Sequence, residues 1–379
     1  MTYNIKQVSA AAVSALILMG CNGSGSSSSE QENNGNTEVG TVSVVDASTG
    51  QKQGLSLISG AVVTDDSWHV AYQKYVGFST NGGASASGDG KVSGFIAHQY
   101  DELYDDKNQP VQAEFEKLDA SSTADKFSEV TFATCSAGTY VEDSIKTQIE
   151  MEDWVEADYS QGAPTYSAKE GNGWIIKTDV DGSDTYALVS VKTLTVEFGQ
   201  ATTRKLEFSV KNWNENSQTF DNEVVTEVDF SSERQYFDIN DSNVVMADNG
   251  GWDISIKAES RAYVMQVNGG ASGSGKAGVG YLLNDKKASE ITNPTDSEQV
   301  YKYFSDTATG VLSKPGSYGP LQYNVAGRHQ MWPTFTTYCI KDEQGVVPRL
   351  FKVQVLGNYG KEGTEKSGNI VYRYEELTQ

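Results

Sequence analysis

The sequence predicts a mainly β chain built from two tandem, related antiparallel β domains. Two observations lead to this prediction: short runs in which apolar and polar residues alternate, and an internal repeat of several β-like segments in the same order. The alternation is clearest over residues 188–198 and 351–355, where a side-chain period of two indicates a strand with one buried face. Helical periodicity is weak, and one short helix is expected between residues 143 and 154.

Residues 1–20 are typical of a secretory signal peptide. Lys6 supplies a positive charge, and an apolar run over residues 8–19 follows it. This run is shorter than the roughly 20 apolar residues that a membrane-spanning helix needs. Its exit, Leu18-Met19-Gly20-Cys21, resembles the lipobox of bacterial lipoproteins, which implies cleavage before Cys21 and a diacylglycerol on its sulfur. An ordinary signal peptide followed by a chance cysteine is the alternative.

Residues 21–40 are predicted to form a flexible tether behind this lipid. Gly, Ser, Asn and Glu dominate the segment, which has no apolar pattern and too little apolar surface to fold. Asn22 resembles the residue found after the lipid site in lipoproteins forwarded to the outer membrane. A lipid-anchored location in the outer membrane, on the cell surface or the periplasmic face, is therefore expected. No later stretch has enough apolar residues to span a bilayer.

Charge and cysteine content restrict the classes of partner. The net charge of −22 argues against nucleic acid and against attachment to anionic lipid, because both need concentrated basic surface. Besides Cys21, the chain has Cys135 and Cys339. A disulfide between them is permitted in an oxidising compartment, and two buried free thiols are the alternative. The sequence contains no CxxC motif and no His/Cys cluster with zinc spacing.

Residues 41–215 and 216–379 are predicted to be two copies of one β domain. The glycine-rich segment 81–92 aligns without a gap on residues 268–279. Strand-like segments also recur around it in the same order, at residues 42–48 and 225–231, 68–72 and 252–256, and 174–178 and 338–342. Chance similarity of two Gly/Ser-rich segments does not explain these ordered flanks, and the spacing exceeds that of repeat arrays. The domain boundary is placed near residues 214–218, where the strand pattern breaks.

The glycine-rich segment is not interpreted as a phosphate-binding loop. Such a loop leads into a helix that begins with Lys-Ser/Thr, and neither copy has this ending. Gly83 and Gly270 are instead predicted to allow a positive φ or a close backbone approach in a turn or bulge.

Several segments follow one another in an order seen in a known family. In the second half they are residues 252–254, 268–273, 351–355, 358–360 and 367–374, and in the first half residues 68–70 and 79–85. Each half therefore resembles the HmuY-like haem-binding lipoproteins, over nearly all of residues 40–379. The resemblance implies an all-β fold, an outer-membrane location and a haem held between two axial side chains, His or Met.

The resemblance places axial haem ligands downstream of each glycine-rich segment. His98 is the candidate in the first half, and His329 and Met331 are the candidates in the second. A site shared between the two halves is a further alternative. The alternative interpretation of each residue involves no haem. His98 would then be the last residue of a strand, His329 would lie in a loop or a pocket wall, and Met331 would pack in the core or in a loop. His69 is expected to face solvent or a neighbouring strand.

The leading functional hypothesis is a binding lipoprotein that captures haem or a related small ligand and delivers it to an outer-membrane transporter. The alternative is a non-haem interaction or adhesion module that recognises a protein or a glycan. Twenty tyrosines and six tryptophans suit either function. An enzyme is not expected, because the chain has only three histidines and no Ser-His-Asp pattern with a serine at a nucleophile elbow. Residues 179–184 offer oxygen ligands for Ca²⁺ but lack the rest of an EF-hand loop, and a solvated turn is the simpler interpretation.

Overall fold

The structure, a computed structural model, describes residues 39–160, 162–246 and 251–379. The prediction of a mainly β chain is confirmed, since these ranges contain 26 β-strands and four short α-helices. The predicted signal peptide, Cys21 and the tether up to residue 38 lie outside the described residues. Within the described ranges, no helix has both the length and the apolar character needed to cross a bilayer.

The strands and helices of the first part of the chain lead from the predicted tether to a short helical segment. The strands are β1 (Thr41–Asp46), β2 (Gln53–Leu55), β3 (Val62–Val63), β4 (Val70–Gln73), β5 (Gly77–Thr80) and β6 (Val92–His98). The helices are α1 (Gln112–Phe115), α2 (Ala124–Glu129) and α3 (Phe132–Ser136), after a 3-10 turn at Asp101–Leu103.

A middle group of elements follows. It comprises β7 (Ser144–Lys146), α4 (Met151–Trp154), β8 (Val155–Asp158), β9 (Thr165–Ala168), β10 (Trp174–Val180), β11 (Ser183–Glu197), β12 (Thr203–Asn214) and β13 (Thr219–Phe220).

The remaining strands belong to the second copy of the repeat. They are β14 (Val224–Asp229), β15 (Gln235–Asp238), β16 (Asn243–Val245), β17 (Ile254–Glu259), β18 (Ala262–Val267), β19 (Gly278–Leu282), β20 (Val300–Phe304), β21 (Thr307–Thr309), β22 (Leu321–Tyr323), β23 (Met331–Pro333), β24 (Thr337–Asp342), β25 (Arg349–Gly357) and β26 (Asn369–Leu377), with 3-10 turns at Ala288–Glu290 and Val311–Ser313.

The two main sheets draw their strands from both halves of the sequence. Sheet I has the order β1-β26-β25-β24-β6, so the opening strands of the first copy pair with the closing strands of the second. Sheet II contains β10, β11 and β12 of the first copy, with β14 and β19 of the second at its two sides and β20 beyond β19. The sheets therefore do not divide at residues 215 and 216, where the repeat predicted a domain boundary. That position lies in the tight turn between β12 and β13, which pair with each other.

The two chain crossings between the sheets pair with one another. Strand β7 lies antiparallel to β21, with Ile145 opposite Ala308. Asp143 precedes the first crossing and Asp306 precedes the second, and each forms a parallel bridge with its own glycine-rich segment. The two copies are thus related by an approximate twofold axis that passes between Ile145 and Ala308.

In this arrangement the two copies exchange strands, since each main sheet combines strands of both. Buried polar side chains support it. His69 occupies the position that Asp253 has in the second copy, and Asp342 the position that Thr178 has in the first. In the structure the His69 Nε2 lies 3.3 Å from Asp342, and Thr178 donates a hydrogen bond to Asp253. If each copy closed on itself, the carboxylates of Asp253 and Asp342 would instead meet in the interior. Two adjacent buried carboxylates repel each other, so these pairs favour the exchanged arrangement.

Each main sheet packs against a smaller sheet of four strands to enclose an apolar core. Sheet I covers the sheet β3-β2-β4-β5, and their shared core includes Tyr338, Phe351 and Tyr372, each no more than 1% exposed. Sheet II covers the sheet β16-β15-β17-β18 around Phe208 and Phe237. Burial of an aromatic or large aliphatic side chain contributes about 1.5–3 kcal/mol, so these clusters hold the layers together.

The helical segment after β6 is fixed to sheet I. Cys135 of α3 and Cys339 of β24 form a disulfide with their Cα atoms 5.5 Å apart, which settles the alternatives that the sequence left open. Close by, Lys352 donates a hydrogen bond of 3.1 Å to the Val130 carbonyl, and the Arg373 guanidinium lies 4.7 Å from the ring of Phe127. The disulfide joins the first half of the chain to the second.

Candidate functional site

The glycine-rich segments form two equivalent loops, each organised by one asparagine. The Asn81 side chain donates to the Trp68 carbonyl and accepts from the Ser87 amide. In the second copy, the Asn268 side chain donates to the Trp252 carbonyl and accepts from the Gly275 amide. The two asparagines therefore have the same role, although the amide that each accepts from differs by one position, since Ser87 aligns with Ser274 and not with Gly275.

Close backbone approach explains the glycines that follow these asparagines. Gly83 and Gly270 have φ values of +56° and +62°. A Cβ atom would lie 2.1 Å from the Asp143 carbonyl oxygen at the first position, and 2.0 Å from that of Asp306 at the second. The predicted positive φ and close approach are both confirmed, and a side chain at either position would displace the crossing strand behind it.

Two buried carboxylates hold the glycine loops to the crossing strands. Asp143 accepts from the Thr80 amide and hydroxyl, and Asp306 accepts from the amides of Gln148 and Val267. Burial raises the pKa of both carboxyl groups, although these hydrogen bonds oppose the shift. Their oxygen atoms accept hydrogen bonds from the protein itself, so we interpret these carboxylates as structural groups that connect the loops to the crossing strands.

A cleft of about 480 Å³ lies beside these loops, between the two copies of the repeat. We refer to it as the central cleft; its lining comprises Lys52, Gln73 and residues 75–79, 84–85, 270–271 and 303–308. Ala84 and Ala271, which are equivalent in the repeat, both contribute. Hydroxyl side chains alternate with apolar surface along the lining, so the cleft offers both hydrogen bonds and stacking contacts.

Aromatic rings stand exposed at the central cleft. Tyr75 lies in the turn between β4 and β5, with 84% of its surface exposed and a φ of +70°. Phe304, at the end of β20, is 40% exposed and has Tyr281 as a neighbour at 6.5 Å between ring centroids. Exposed rings on a concave surface are suited to stacking against a flat ligand.

Lysine side chains accompany these rings. The Nζ atoms of Lys74 and Lys302 lie 5.3 Å and 6.0 Å from the centroid of the Tyr75 ring. Lys52, which lines the central cleft, lies 4.0 Å from the ring of Trp68. The site therefore combines exposed aromatic surface with positive charge.

The sequence did not identify this group of residues. One signal was present: Tyr75-Val76 stands in a hairpin turn, where Gly, Asn, Asp and Ser are the usual residues. The sequence around Phe304 and Lys302 offered no comparable indication, because the pattern of a strand does not show which other segment of the chain packs near its end. Only the folded chain brings the first copy's hairpin close to β20 of the second copy.

Of the three predicted haem ligands, His98 lies on a strand outside the β22–β23 hairpin that contains the other two. It ends β6, as expected, is half-buried, and packs edge-on against Tyr100 at 4.7 Å between ring centroids. Burial lowers the pKa of His98, and the charge of Lys126 acts in the same direction. A neutral imidazole is the form that can coordinate a metal.

His329 and Met331 lie together in the β22–β23 hairpin. His329 is exposed, has a φ of +56°, and its Nδ1 lies 2.8 Å from the Tyr323 hydroxyl. Met331 is half-buried on β23, directly opposite Tyr323 in the strand register. Within the part of the chain that the structure describes, none of the three predicted ligands lines the central cleft.

His69 differs from its expected environment. It is 3% exposed, and its Nδ1 accepts a 3.3 Å hydrogen bond from the Leu57 amide, so the proton of the neutral ring is on Nε2 and faces Asp342. Burial lowers the pKa of His69, and Asp342 opposes the shift. This histidine belongs to the interior of the fold.

An acidic hollow lies next to the turn that offered oxygen ligands for Ca²⁺. Its lining includes Asp179, Asp238, Asp241 and Asp253, and the ammonium of Lys276 lies 3.0 Å from Asp179. Across the described ranges, no group of three or more His, Cys, Asp or Glu side chains is arranged to hold a metal ion.

No family model and no curated protein matches this chain.

Proposed function

We propose that the chain is a lipid-anchored binding protein that recognises a glycan at the central cleft. The observation that carries this proposal is the exposure of Tyr75 and Phe304 beside a concave surface lined by hydroxyl side chains. The apolar face of a sugar ring stacks on an aromatic ring, while its hydroxyl groups pair with polar side chains. This function corresponds to the non-haem alternative that the sequence left open.

The size of the central cleft favours a small ligand over a protein surface. Its volume of about 480 Å³ falls within the range of ligand-binding pockets, roughly 300–1,000 Å³. A stable protein partner instead buries about 800 Å² on each side of an interface. One or two sugar residues of a longer chain fit the dimensions of the cleft.

The predicted lipid anchor and tether are consistent with this function, because they would place the binding site at a membrane. A lipid on Cys21 would hold the protein at the outer membrane, and residues 21–40 would let the binding unit move at the end of a tether. Glycan recognition at the bacterial surface, or in the periplasm beneath it, requires no enzyme activity and no partner protein.

Glycan-array binding of the full chain, purified in detergent, tests the proposal. Tyr75→Ala and Phe304→Ala should each weaken binding about tenfold, the equivalent of the roughly 1–3 kcal/mol typical of a stacked ring. Tyr159→Ala and Phe198→Ala are matched controls, because these residues are 66% and 57% exposed and do not line the cleft. Absence of glycan binding, or equal losses in the control variants, would refute the proposal.

Haem capture is the second candidate function, favoured by one observation at the β22–β23 hairpin. The hydrogen bond between His329 Nδ1 and Tyr323 orients the imidazole, as outer contacts commonly do for a coordinating histidine, and Met331 lies on the same hairpin. Haem held there could be passed to an outer-membrane transporter for iron acquisition. A Soret band that shifts on binding, and that changes in His329→Ala or Met331→Ala but not in His98→Ala, would support this site.

A further inference from the structure

We infer that the ligand of the central cleft is an acidic oligosaccharide whose carboxylate is bound by Lys74, Lys302 and Lys52. This inference rests on the proposed glycan-binding function and adds the charge of the ligand. It depends on three features of the site: the cations beside Tyr75, the state of the nearby carboxylates, and the contrast with the charge of the whole chain.

The two cations beside Tyr75, at the margin of the central cleft, come from different copies of the repeat. Lys74 follows β4 in the first copy and Lys302 lies on β20 in the second, yet both ammonium groups lie within 6.0 Å of the centre of the Tyr75 ring. Among the described residues, no carboxylate lies within ion-pair distance of Lys52, Lys74 or Lys302. The charges of Lys74 and Lys302 are therefore available to a ligand, whereas Lys52 is partly buried, which lowers its pKa, and interacts electrostatically with the buried Asp143.

No exposed carboxylate opposes an anion in the lining of the cleft, as far as the described residues extend. Asp306 is the acidic residue of the lining, but it is 1% exposed and accepts hydrogen bonds from Gln148, Val267 and Ser272. Asp143, behind the other glycine loop, is 5% exposed and similarly occupied by Thr80. The exposed charges near a ligand are therefore positive: Lys52 in the lining, and Lys74 and Lys302 beside Tyr75.

The contrast with the whole chain strengthens this argument. Asp and Glu number 51 against 29 Lys and Arg, so most of the surface repels an anion. A carboxylated sugar would be attracted to the lysines at the central cleft and repelled by much of the remaining surface, which favours selectivity as well as affinity. A neutral sugar would gain the stacking contacts but no benefit from the three ammonium groups.

The geometry brings stacking and charge to the same ring. A sugar ring stacked on Tyr75 would place a carboxylate substituent at the ring edge, where Lys74 and Lys302 approach. Charge-assisted hydrogen bonds from an ammonium to a carboxylate are roughly twice as strong as neutral ones. Lys52, farther into the cleft, would meet an acidic group on the next sugar residue.

Matched pairs of acidic and neutral probes test the inference on the full chain in detergent. The probes are tetragalacturonate with its methyl ester, and sialyllactose with lactose, measured by calorimetry at low and high salt. We expect an acidic probe to bind at least about tenfold more tightly than its neutral counterpart, with a preference that declines as salt screens the charges.

Lysine variants identify the groups responsible. Lys74→Gln and Lys302→Gln should each reduce the preference for the acidic probe about tenfold without lowering the melting temperature. Lys107→Gln is the matched control, since Lys107 is exposed in a loop and, unlike Lys74 and Lys302, is not one of the lysines beside the Tyr75 ring. Equal binding of acidic and neutral probes would overturn the inference but leave the glycan-binding function intact. Binding of neither kind of probe would overturn both.

Discussion

The imidazole Nε2 of His69 lies 3.3 Å from the carboxylate of Asp342, although the two residues belong to different copies of the repeat. Both are buried, with 3% and 6% of their surfaces exposed. The corresponding pair at the other end of the molecule is Asp253 with Thr178, joined by a hydrogen bond. Each copy thus carries one member of each pair, and the pairs are complementary only across copies.

Replacing the His69–Asp342 pair by an Asp–Thr pair, as found at Asp253 and Thr178, should test this complementarity. His69→Asp brings a second buried carboxylate to Asp342 and should cost about 3 kcal/mol or more in the free energy of unfolding. Asp342→Thr should cost about 1–3 kcal/mol, because it removes the partner of the His69 ring. The double variant His69→Asp/Asp342→Thr reproduces the Asp253–Thr178 pair and should recover most of the loss. Urea unfolding measures all three; additive losses in the double variant would contradict the prediction.

The pKa of Asp253 predicts a pH dependence of stability. Burial raises this pKa from 3.8 to about 6, against the hydrogen bonds from Thr178 and Ile239. The folded state therefore binds its proton more tightly than the unfolded state does. Stability from this group is present below about pH 4 and is lost as the pH rises through 6, by up to about 3 kcal/mol.

Asp253→Asn isolates this contribution. The variant should lack the decline in unfolding free energy that Asp253 causes between about pH 4 and pH 6. His69 acts in the opposite direction, because its lowered pKa makes stability fall as the pH is reduced, so the comparison is made with the wild-type His69 present in both proteins. Parallel stability profiles of the variant and the wild type would show that Asp253 has an ordinary pKa.

The glycine at position 83 should resist substitution more than its φ alone explains. Gly83→Ala combines a left-handed φ of +56° with a Cβ only 2.1 Å from the Asp143 carbonyl oxygen. Gly182→Ala is the control, since Gly182 has a φ of +83° and an added Cβ there would meet no atom within 4 Å. The control should lose about 1–2 kcal/mol from the φ alone, and Gly83→Ala clearly more. Equal changes in melting temperature would contradict the steric explanation.

The disulfide should stabilise the chain by closing a long loop. Cys135 and Cys339 are separated by 204 residues, and the bond links the two halves of the chain. Reduction should lower the free energy of unfolding by about 2–5 kcal/mol, mainly by freeing the unfolded chain. Urea unfolding with and without reductant measures this loss. The double variant Cys135→Ala/Cys339→Ala should be insensitive to reductant, and an insensitive wild type would show that the bond contributes nothing.

Much of the secondary structure was predictable because alternating apolar and polar residues indicate an extended strand. In β11 the alternation also matches burial, whereas in β25 the polar residues Lys352 and Gln354 are buried as well, contrary to the expectation of one buried face. The segments at 188–198 and 351–355 are strands β11 and β25, and the expected helix near residue 150 is α4, preceded by the short strand β7. The repeat also predicted the glycine loops, since two copies of one backbone shape require glycine at the same positions. These features depend on residues near one another in the chain.

Strand partners and the candidate site were not predictable in the same way. The sequence pattern indicates that β26 is a strand, but it does not indicate whether β1 or β14 lies beside it, because both have nearly the same pattern. The decisive information was in His69 and Asp342, whose meaning depends on a contact between residues far apart in the sequence. Tyr75 and Lys302 likewise belong to different copies and meet only in the folded chain.

The exchange of closing strands has an evolutionary consequence. If a duplicated domain closes on itself, either copy can be lost by deletion and the other still folds. Here, loss of the second copy would remove β24, β25 and β26 from the centre of sheet I, and loss of the first would remove β10, β11 and β12 from sheet II. In either case the outer strands of that same sheet would lose the partners beside them. The paired crossings at β7 and β21 therefore make the duplication difficult to reverse: mutation can specialise the two copies separately, but selection must retain them together.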